Sequence, residues 1–103
     1  MQAKKKLNIG ELLTPLGLAY WISDDGYIDK RRNRVILSTD SYSLEEVNLL
    51  SKALTENFNL DCFVNKHGDN GYILAIATGS TATLQALLNN RMPIMMKYKI
   101  GLY

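Results

Sequence analysis

Apolar residues fall almost everywhere along residues 12–25 of the chain. Thr14 stands where a helix N-cap is expected, and Pro15 follows at the favoured first helical position. Gly26 stands where the helix should stop. A helix that is apolar on nearly every side is either buried all round or places one face on its own sheet and another on a partner. The pattern therefore predicts a long buried helix that ends at Gly26.

Two pairs of short apolar segments follow, and each pair is joined by a polar turn. In the first pair Val35 and Leu37 alternate with more polar positions, although Ile36 blurs the alternation. The turn of the second pair is rich in residues that tolerate positive φ. The four segments lie at residues 27–28, 34–38, 60–65 and 72–78. We expect two antiparallel hairpins.

Two more helices are predicted between and after the hairpins. Ser43 with Glu46 three residues on forms a capping box, which opens the first of them. Its apolar stripe is expected at Leu44, Val47, Leu50, Leu54 and Phe58. The other helix is expected over residues 80–89, and Pro93 ends the helical pattern before a basic tail.

The predicted order is therefore helix, hairpin, helix, hairpin, helix. A four-stranded antiparallel sheet with helices on one face satisfies the burial that this order demands, so the expected fold is α+β with αββαββα order. Arg34, Ile36, Ser38 and the residues around Lys66 are expected on the other, open face. That face would be polar and partly basic, which suits a groove of nucleic acid.

Length and composition limit the chain to one ordinary globular domain. The 103 residues are 47% hydrophobic and 21% charged, which predicts a single domain over residues 12–103 after a polar tail or linker stub at residues 1–11. No apolar run approaches the roughly 20 residues needed to cross a bilayer, and no targeting segment is visible. The single cysteine, Cys62, is expected to be a buried small hydrophobe, and one histidine, His67, cannot complete a Cys/His zinc cluster.

Charge is distributed unevenly along the chain. Residues 27–39 carry four basic side chains and one acid, and residues 91–103 carry three basic side chains and no acid. Residues 40–56 carry four acids and one lysine. A basic part and an acidic part suit a polyanion on one face and water on the other.

Two adjacent carboxylates, Asp24 and Asp25, fall at the predicted C-terminal end of the first helix. The helix dipole already presents partial negative charge there, so the placement is unfavourable without a compensating cation. A divalent metal would supply that cation. The alternative is that residues 24–26 form a simple turn, because Asp-Gly is a common turn dipeptide.

The sequence of residues 18–26, LAYWISDDG, resembles the motif of the LAGLIDADG homing endonucleases in their organellar intron-encoded form. Residues 13–15, LTP, and residues 96–99, MKYK, are also similar to that family. The resemblance covers most of the chain, from about Leu12 to Ile100, and the element order matches the αββαββα half-domain of the family. Tyr20, Trp21 and Ser23 depart from the family motif, whereas Asp25 and Gly26 match it.

The resemblance implies a Mg²⁺ site and a paired helix. It assigns Asp25 and Gly26 as ligands of the metal. These two residues form only half of a site, because in the family carboxylates from two helices converge on the metal. A second half-domain must then supply the other half, and the pairing surface is expected at Leu18, Trp21 and Ile22. Lys97 and Lys99 match the basic closing segment and are expected to support catalysis.

The resemblance also implies a partner. Double-stranded DNA or structured RNA would contact six basic residues of the two hairpins, namely Lys30, Arg31, Arg32, Arg34, Lys66 and His67. The expected function is a Mg²⁺-dependent endonuclease half-domain that cuts a long near-palindromic DNA site in a mitochondrion or plastid. The alternative is a catalytically silent relative that binds RNA, as an intron maturase or as a structural part of an organellar ribonucleoprotein such as a ribosome. Solvated hairpin tips are the plain alternative for the basic residues.

Overall fold

Helices and strands alternate along the chain in the order that the sequence predicts. The computed structural model describes residues 14–69 and 71–102, so the tail expected at residues 1–11 lies outside the described residues. The elements are α1 (Pro15–Asp25), β1 (Gly26–Asp29), β2 (Arg34–Ser38), α2 (Leu44–Phe58), β3 (Cys62–His67), β4 (Gly71–Ile76) and α3 (Thr81–Leu88), with 3₁₀ helices at Thr78–Ser80 and Ile94–Ile100. The predicted αββαββα order is confirmed.

The four strands form one antiparallel sheet in the order β1-β2-β4-β3. The helices pack on one face, where α1 contacts β1 and β2 while α2 contacts β3 and β4. The strands meet this layer with alternate residues, and Val35, Leu37, Leu74 and Ile76 are fully buried in the core. The predicted α+β class, with helices on one face of the sheet, is therefore confirmed.

The start and the end of α1 are fixed by different devices. The hydroxyl of Thr14 accepts a hydrogen bond from the backbone N–H of Gly17 at 3.0 Å, and Pro15 occupies the first turn as predicted. At the other end Gly26 has a φ of −90°, so no left-handed conformation is involved. A Cβ there would lie 2.7 Å from the carbonyl oxygen of Ile22. The glycine is needed because the chain turns back tightly against the last turn of α1.

The amphipathic helix α2 begins with the predicted capping box. Ser43 accepts from the N–H of Glu46 at 3.1 Å, and the Glu46 carboxylate accepts from the N–H of Ser43 at 2.9 Å. Val47, Leu50 and Leu54 form its buried stripe. Leu44, which was expected in that stripe, is 45% exposed because it lies in the first turn, beyond the edge of the sheet contact.

The segment after Pro93 is a structured 3₁₀ helix, so the expectation of a basic tail is wrong. Ile100 is fully buried, and its carbonyl oxygen accepts a hydrogen bond from Gln85 of α3 at 2.7 Å. The helix ends at Gly101, whose φ of +85° favours glycine. A period of three residues per turn escapes a search for a period of 3.6, which is why the sequence pattern missed it.

Within residues 14–69 and 71–102, no helix combines the length and the apolar character that a membrane span requires.

Candidate carboxylate site and nucleic-acid interface

The carboxylate end of α1 is held between the helix layer and the edge of the sheet. Asp25 is the last residue of α1 and is half-buried, whereas the neighbouring Asp24 is exposed. Gly26 is buried and begins the edge strand β1 opposite Leu37. Asp25 is therefore fixed at the junction of a helix and a strand, as expected for a side chain that has to hold one position.

A lysine from the closing 3₁₀ helix reaches the same helix end. The ammonium of Lys99 donates a hydrogen bond to the backbone carbonyl of Ser23 at 2.5 Å in a partly buried setting. Ser23 also contacts the closing region through its hydroxyl, which lies 3.8 Å from the sulfur of Met92. A cation at the last turn of a helix is favoured by the dipole. Part of the compensation that the sequence assigned to a metal thus comes from Lys99, and the helix dipole alone no longer argues for one.

The donor set at this end fits half of a Mg²⁺ site. Mg²⁺ is held in proteins by one or two carboxylates together with water and phosphate oxygens. Asp25 offers one carboxylate, and Gly26 can offer only its carbonyl oxygen. In the part of the chain that the structure describes, no three residues among His, Cys, Asp and Glu lie close enough to hold a metal ion. A metal at Asp25 would need water, or ligands from beyond the described residues, to complete its coordination.

The predicted pairing surface of α1 is wrong in its residues. Leu18 and Ile22 are 0% exposed and Trp21 is 2% exposed, because they pack into the core of this same chain. The exposed apolar residues of the helix are Leu16 and Tyr20, at 48% and 59%. They lie four residues apart and therefore share one face, which continues toward Asp24. An all-round apolar helix gives no periodic signal for which side is its own core.

The open face of the sheet carries the alternate residues of each strand. Arg34, Ile36 and Ser38 lie on it as predicted, since Val35 and Leu37 between them are in the core. An apolar row crosses its middle, where the register aligns Tyr27, Ile36, Ala75 and Phe63. This row makes the open face less polar than expected.

The second hairpin places its two basic residues on opposite faces. Lys66 is paired with Tyr72, which packs against the core, so Lys66 lies on the helix side of the sheet. The expectation that Lys66 lies on the open face is wrong, because the alternation along β3 puts its neighbours Asn65 and His67 there instead. His67 lies on the open face, and its Nδ1 is 3.5 Å from a carboxylate oxygen of Asp40. The side chains of His67 and Asp40 are both more than half exposed.

Two threonine hydroxyls hold the backbone of the basic turn at residues 30–33. The hydroxyl of Thr78 donates to the carbonyl of Arg32 at 2.6 Å, and the hydroxyl of Thr81 donates to the carbonyl of Asn33 at 2.7 Å. Both threonines come from the start of the α3 region. Lys30 and Arg31 are exposed at the tip. The turn therefore presents its cations from a fixed backbone.

Asp29 joins two of the predicted nucleic-acid-binding arginines. Its Oδ2 lies 3.3 Å from Nη1 of Arg32 and 3.4 Å from Nε of Arg34. Desolvation acts to raise the pKa of Asp29, but the backbone N–H of Arg32 and the two guanidinium groups outweigh it and hold that pKa below its ordinary value. The guanidinium of Arg34 also lies 5.1 Å from the ring centre of Phe63. Neither Asp29 nor Phe63 carries a signal in the sequence, because both contacts depend on the register between strands.

The thiol of Cys62 has no part in this surface. Burial, together with the charge of Asp61, raises the pKa of Cys62 to about 12. The thiol donates to the carbonyl of Leu60 at 3.3 Å. The expected role as a small hydrophobic side chain fits, because Cys62 packs against the core and stays protonated.

Fold and site together define the class of protein. It is an αββαββα domain with helices on one face of the sheet, an open opposite face, and a carboxylate at the end of the first helix. A comparison with known families matches residues 4–84 to the LAGLIDADG DNA endonuclease family. The chain belongs to this family, and the resemblance carried by the motif at residues 18–26 is confirmed.

Individual relatives include endonucleases and a maturase. The chain is 30% identical to the probable intron-encoded DNA endonuclease 3 of Mycosarcoma maydis over 94% of its own length and 73% of that protein. It is 32% identical to the cytochrome b mRNA maturase bI2 of Debaryomyces hansenii, over 93% of this chain and 36% of the maturase.

A solved structure aligns with the whole chain. The homing endonuclease I-WcaI bound to its DNA recognition sequence matches with a TM-score of 0.82 and 29% identity. The match covers 100% of this chain and 49% of the endonuclease. The present chain thus spans about half the length of that endonuclease.

Proposed function

We propose that the chain is one half of a Mg²⁺-dependent homing endonuclease, which cuts both strands of a long near-palindromic DNA site when it is paired with a second half. The observation that carries this proposal is Asp25. It stands at the end of α1, where the chain enters the edge strand β1, in a chain whose fold matches about half of an endonuclease bound to DNA. A single carboxylate in half a fold argues for a partner that brings the other one.

The pairing is proposed to use the exposed face of α1. Leu16 and Tyr20 are large, apolar or aromatic, and about half exposed, and their face leads toward the carboxylate end. Burying them against the same face of a second half would bring together the carboxylate ends of the two helices, with Asp24 and Asp25. The second half is either another copy of this chain, with two-fold symmetry, or a different half-domain.

The residues at the helix end have separate roles in this proposal. Asp25, with the carbonyl of Gly26, would hold Mg²⁺, and the ion when bound supplies charge stabilisation for the attacking water and the leaving 3′ oxygen. The ammonium of Lys99 is fixed at the same end by its hydrogen bond to Ser23. It would hold positive charge close to the phosphate as negative charge develops there. Lys97 is half-buried two residues away and would add to the same field.

DNA contacts are proposed for the open face and its basic turn. Lys30, Arg31 and Arg32 would contact phosphates from the anchored tip, since phosphate contacts set the register of a protein on the duplex. His67 would extend the contact at the far edge of the sheet. Lys66 would reach the DNA only around the end of the hairpin.

The test is cleavage of DNA that carries the insertion site of the chain's own gene, with and without Mg²⁺. Wild-type protein should cut in Mg²⁺, and Asp25→Asn should lower the rate by at least about a hundredfold, as the loss of a group that stabilises the transition state does. Glu56→Gln is the matched control, because it makes the same carboxylate-to-amide change at an exposed residue of α2 outside the proposed site. Equal rates for Asp25→Asn and wild type would refute the assignment.

The second candidate is an RNA-binding maturase, favoured by the likeness to the cytochrome b mRNA maturase bI2. In that case the open face would bind structured RNA and no cut would be made. Filter binding to the precursor RNA of the host intron, beside the cleavage assay, separates the two functions. Because its relatives include intron-encoded endonucleases, we propose that the protein acts in a mitochondrion or plastid, which fractionation of the source cells would check.

A further inference from the structure

Arg34 differs from Arg32, the other arginine beside Asp29, because its side chain is far less exposed. Its Nε lies 3.4 Å from Oδ2 of Asp29, and its guanidinium carbon lies 5.1 Å from the ring centre of Phe63. Phe63 is on β3 and Arg34 is on β2, so the side chain extends across the strand β4 that separates them. Only 18% of it is exposed.

The end of the guanidinium stays available. Nε is buried without a hydrogen-bond partner, whereas the two terminal nitrogens are not fully buried and make no hydrogen bond to a described residue. The two terminal nitrogens form an end-on fork of N–H donors. A planar fork of this kind matches paired acceptors such as those of a guanine base or a phosphate.

We propose that Arg34 is a specificity-determining residue that reads one guanine of each half-site through the O6 and N7 acceptors in the major groove. The inference rests on the proposed function, because it requires the open face to bind DNA. A guanidinium that is held in place loses little freedom on binding, so its contact with a base edge is selective. Arginine donating two bonds to guanine is the commonest specific contact in the major groove.

The position of Arg34 favours a base over a phosphate. It begins β2, an inner strand, at its pair with Asp29 next to the hairpin turn, and it lies on the same sheet face as the apolar row that includes Ile36 and Ala75. Lys30 and Arg31 lie beyond it at the tip of the hairpin, where side chains are exposed. Contacts from such a tip position the protein on the phosphate backbone without reading sequence.

Asp29 and Phe63 are positioning residues in this arrangement. The carboxylate of Asp29 lies beside Nε as an ion-pair partner, and the guanidinium carbon lies over the ring of Phe63 on β3. Phe63→Leu should therefore weaken the guanine preference while the charge of the protein stays the same.

The experiment is a binding selection on duplexes with a fully randomised centre, performed in parallel with wild type, Arg34→Lys, Arg34→Gln, Phe63→Leu and Arg91→Lys. The selected sequences give the preference at each position, and the salt dependence of binding is then measured on the wild-type consensus. Arg34→Lys keeps a positive charge beside Asp29 but loses the fork. Arg91→Lys makes the same chemical change at an exposed arginine outside the proposed interface and serves as the matched control.

The proposal expects Arg34→Lys to lose about ten- to a hundredfold preference for guanine at one position of each half-site, with the salt slope unchanged. Phe63→Leu should reduce the same preference by less, and Arg91→Lys should leave the profile as in wild type. An unchanged profile for Arg34→Lys overturns the proposal. So does Arg34→Gln if it weakens all sequences equally and lowers the salt slope by about one, which marks a phosphate contact. If wild type selects no sequence at all, the proposed function itself fails.

Discussion

The two faces of the sheet differ sharply although the same strands build both. On β2, Val35 and Leu37 are fully buried under the helices, while Arg34 and Ser38, one residue away, lie on the open face. Alternation along a strand thus separates the residues that hold the domain together from those that are proposed to meet a ligand. Substitutions on the two faces should separate stability from recognition in the same way.

The open face is not simply a polar surface, and this qualifies the comparison. Ile36 is 2% exposed and Ala75 is fully buried, although both lie on that face. With Tyr27 and Phe63 they form a thin apolar row across all four strands. Such a row packs the four strands together and holds the polar residues beside it, so the open face is ordered without a ligand.

The largest effect should come from the covered face. Leu37→Ala removes a fully buried side chain from the core, and we expect a loss of about 2–5 kcal/mol in the free energy of unfolding. Ser38→Ala, the adjacent position on the open face, should stay within about 0.5 kcal/mol of wild type. Urea denaturation of both variants measures the difference. Similar losses for the two would break the separation of the faces.

The second-largest effect is expected at Gly26, because this residue joins the covered face of the sheet to the carboxylate site. Gly26→Ala would place a methyl group 2.7 Å from the carbonyl oxygen of Ile22 and 2.9 Å from its Cγ2. We expect a cost of about 1–3 kcal/mol in the free energy of unfolding, and slower cleavage because the neighbouring Asp25 must shift. Gly79→Ala is the control, since nothing lies within 4 Å of a Cβ there. If thermal unfolding shows equal losses for the two, the close approach at Gly26 is not what matters.

Local chemistry made much of this domain predictable. Thr14 and Ser43 cap their helices with side-chain oxygens that belong to those positions, and both caps are confirmed. The alternation on β2 placed Arg34 on the open face for the same local reason. Asp25 could be singled out because the motif and the end of the helix coincide in the sequence.

What escaped prediction depends on contacts between distant segments. The buried side of α1 could not be read from Trp21, because a helix that is apolar all round has no distinct core face. Lys99 stands 76 residues from its partner Ser23, and Phe63 meets Arg34 only through the strand order β2-β4-β3. Such pairings follow from topology and register, which short-range patterns do not contain.

A smaller effect is expected where the closing 3₁₀ helix meets α1. Lys99→Met removes the hydrogen bond to the carbonyl of Ser23 but keeps the length of the side chain. We expect a loss of about 1 kcal/mol in the free energy of unfolding. Lys97→Met is the matched control, since no hydrogen bond joins Lys97 to that helix end among residues 14–69 and 71–102. Calorimetry that finds Lys97→Met the more harmful would show that Lys99 does not stabilise the end of α1.

The smallest effect concerns Asp29 on the open face, and it depends on pH. Because the pKa of Asp29 is lower in the folded chain than in the unfolded chain, the ionised carboxylate stabilises the fold at neutral pH. That contribution is lost as the pH falls from the ordinary carboxyl range through the lowered value. Asp29→Asn should thus be less stable than wild type at neutral pH, and the two should converge in acid.

Urea denaturation of both proteins across that pH range tests this, and the background of Arg32→Gln isolates the cause. If the guanidinium of Arg32 helps to lower the pKa of Asp29, the stability lost through Asp29→Asn at neutral pH should be smaller in that background. A loss that persists unchanged in acid would mean that the acceptor geometry matters and the charge does not, because asparagine keeps an oxygen that can accept from the N–H of Arg32. In that case the open face would be ordered by hydrogen bonding and the apolar row alone, and its comparison with the covered face would no longer rest on charge.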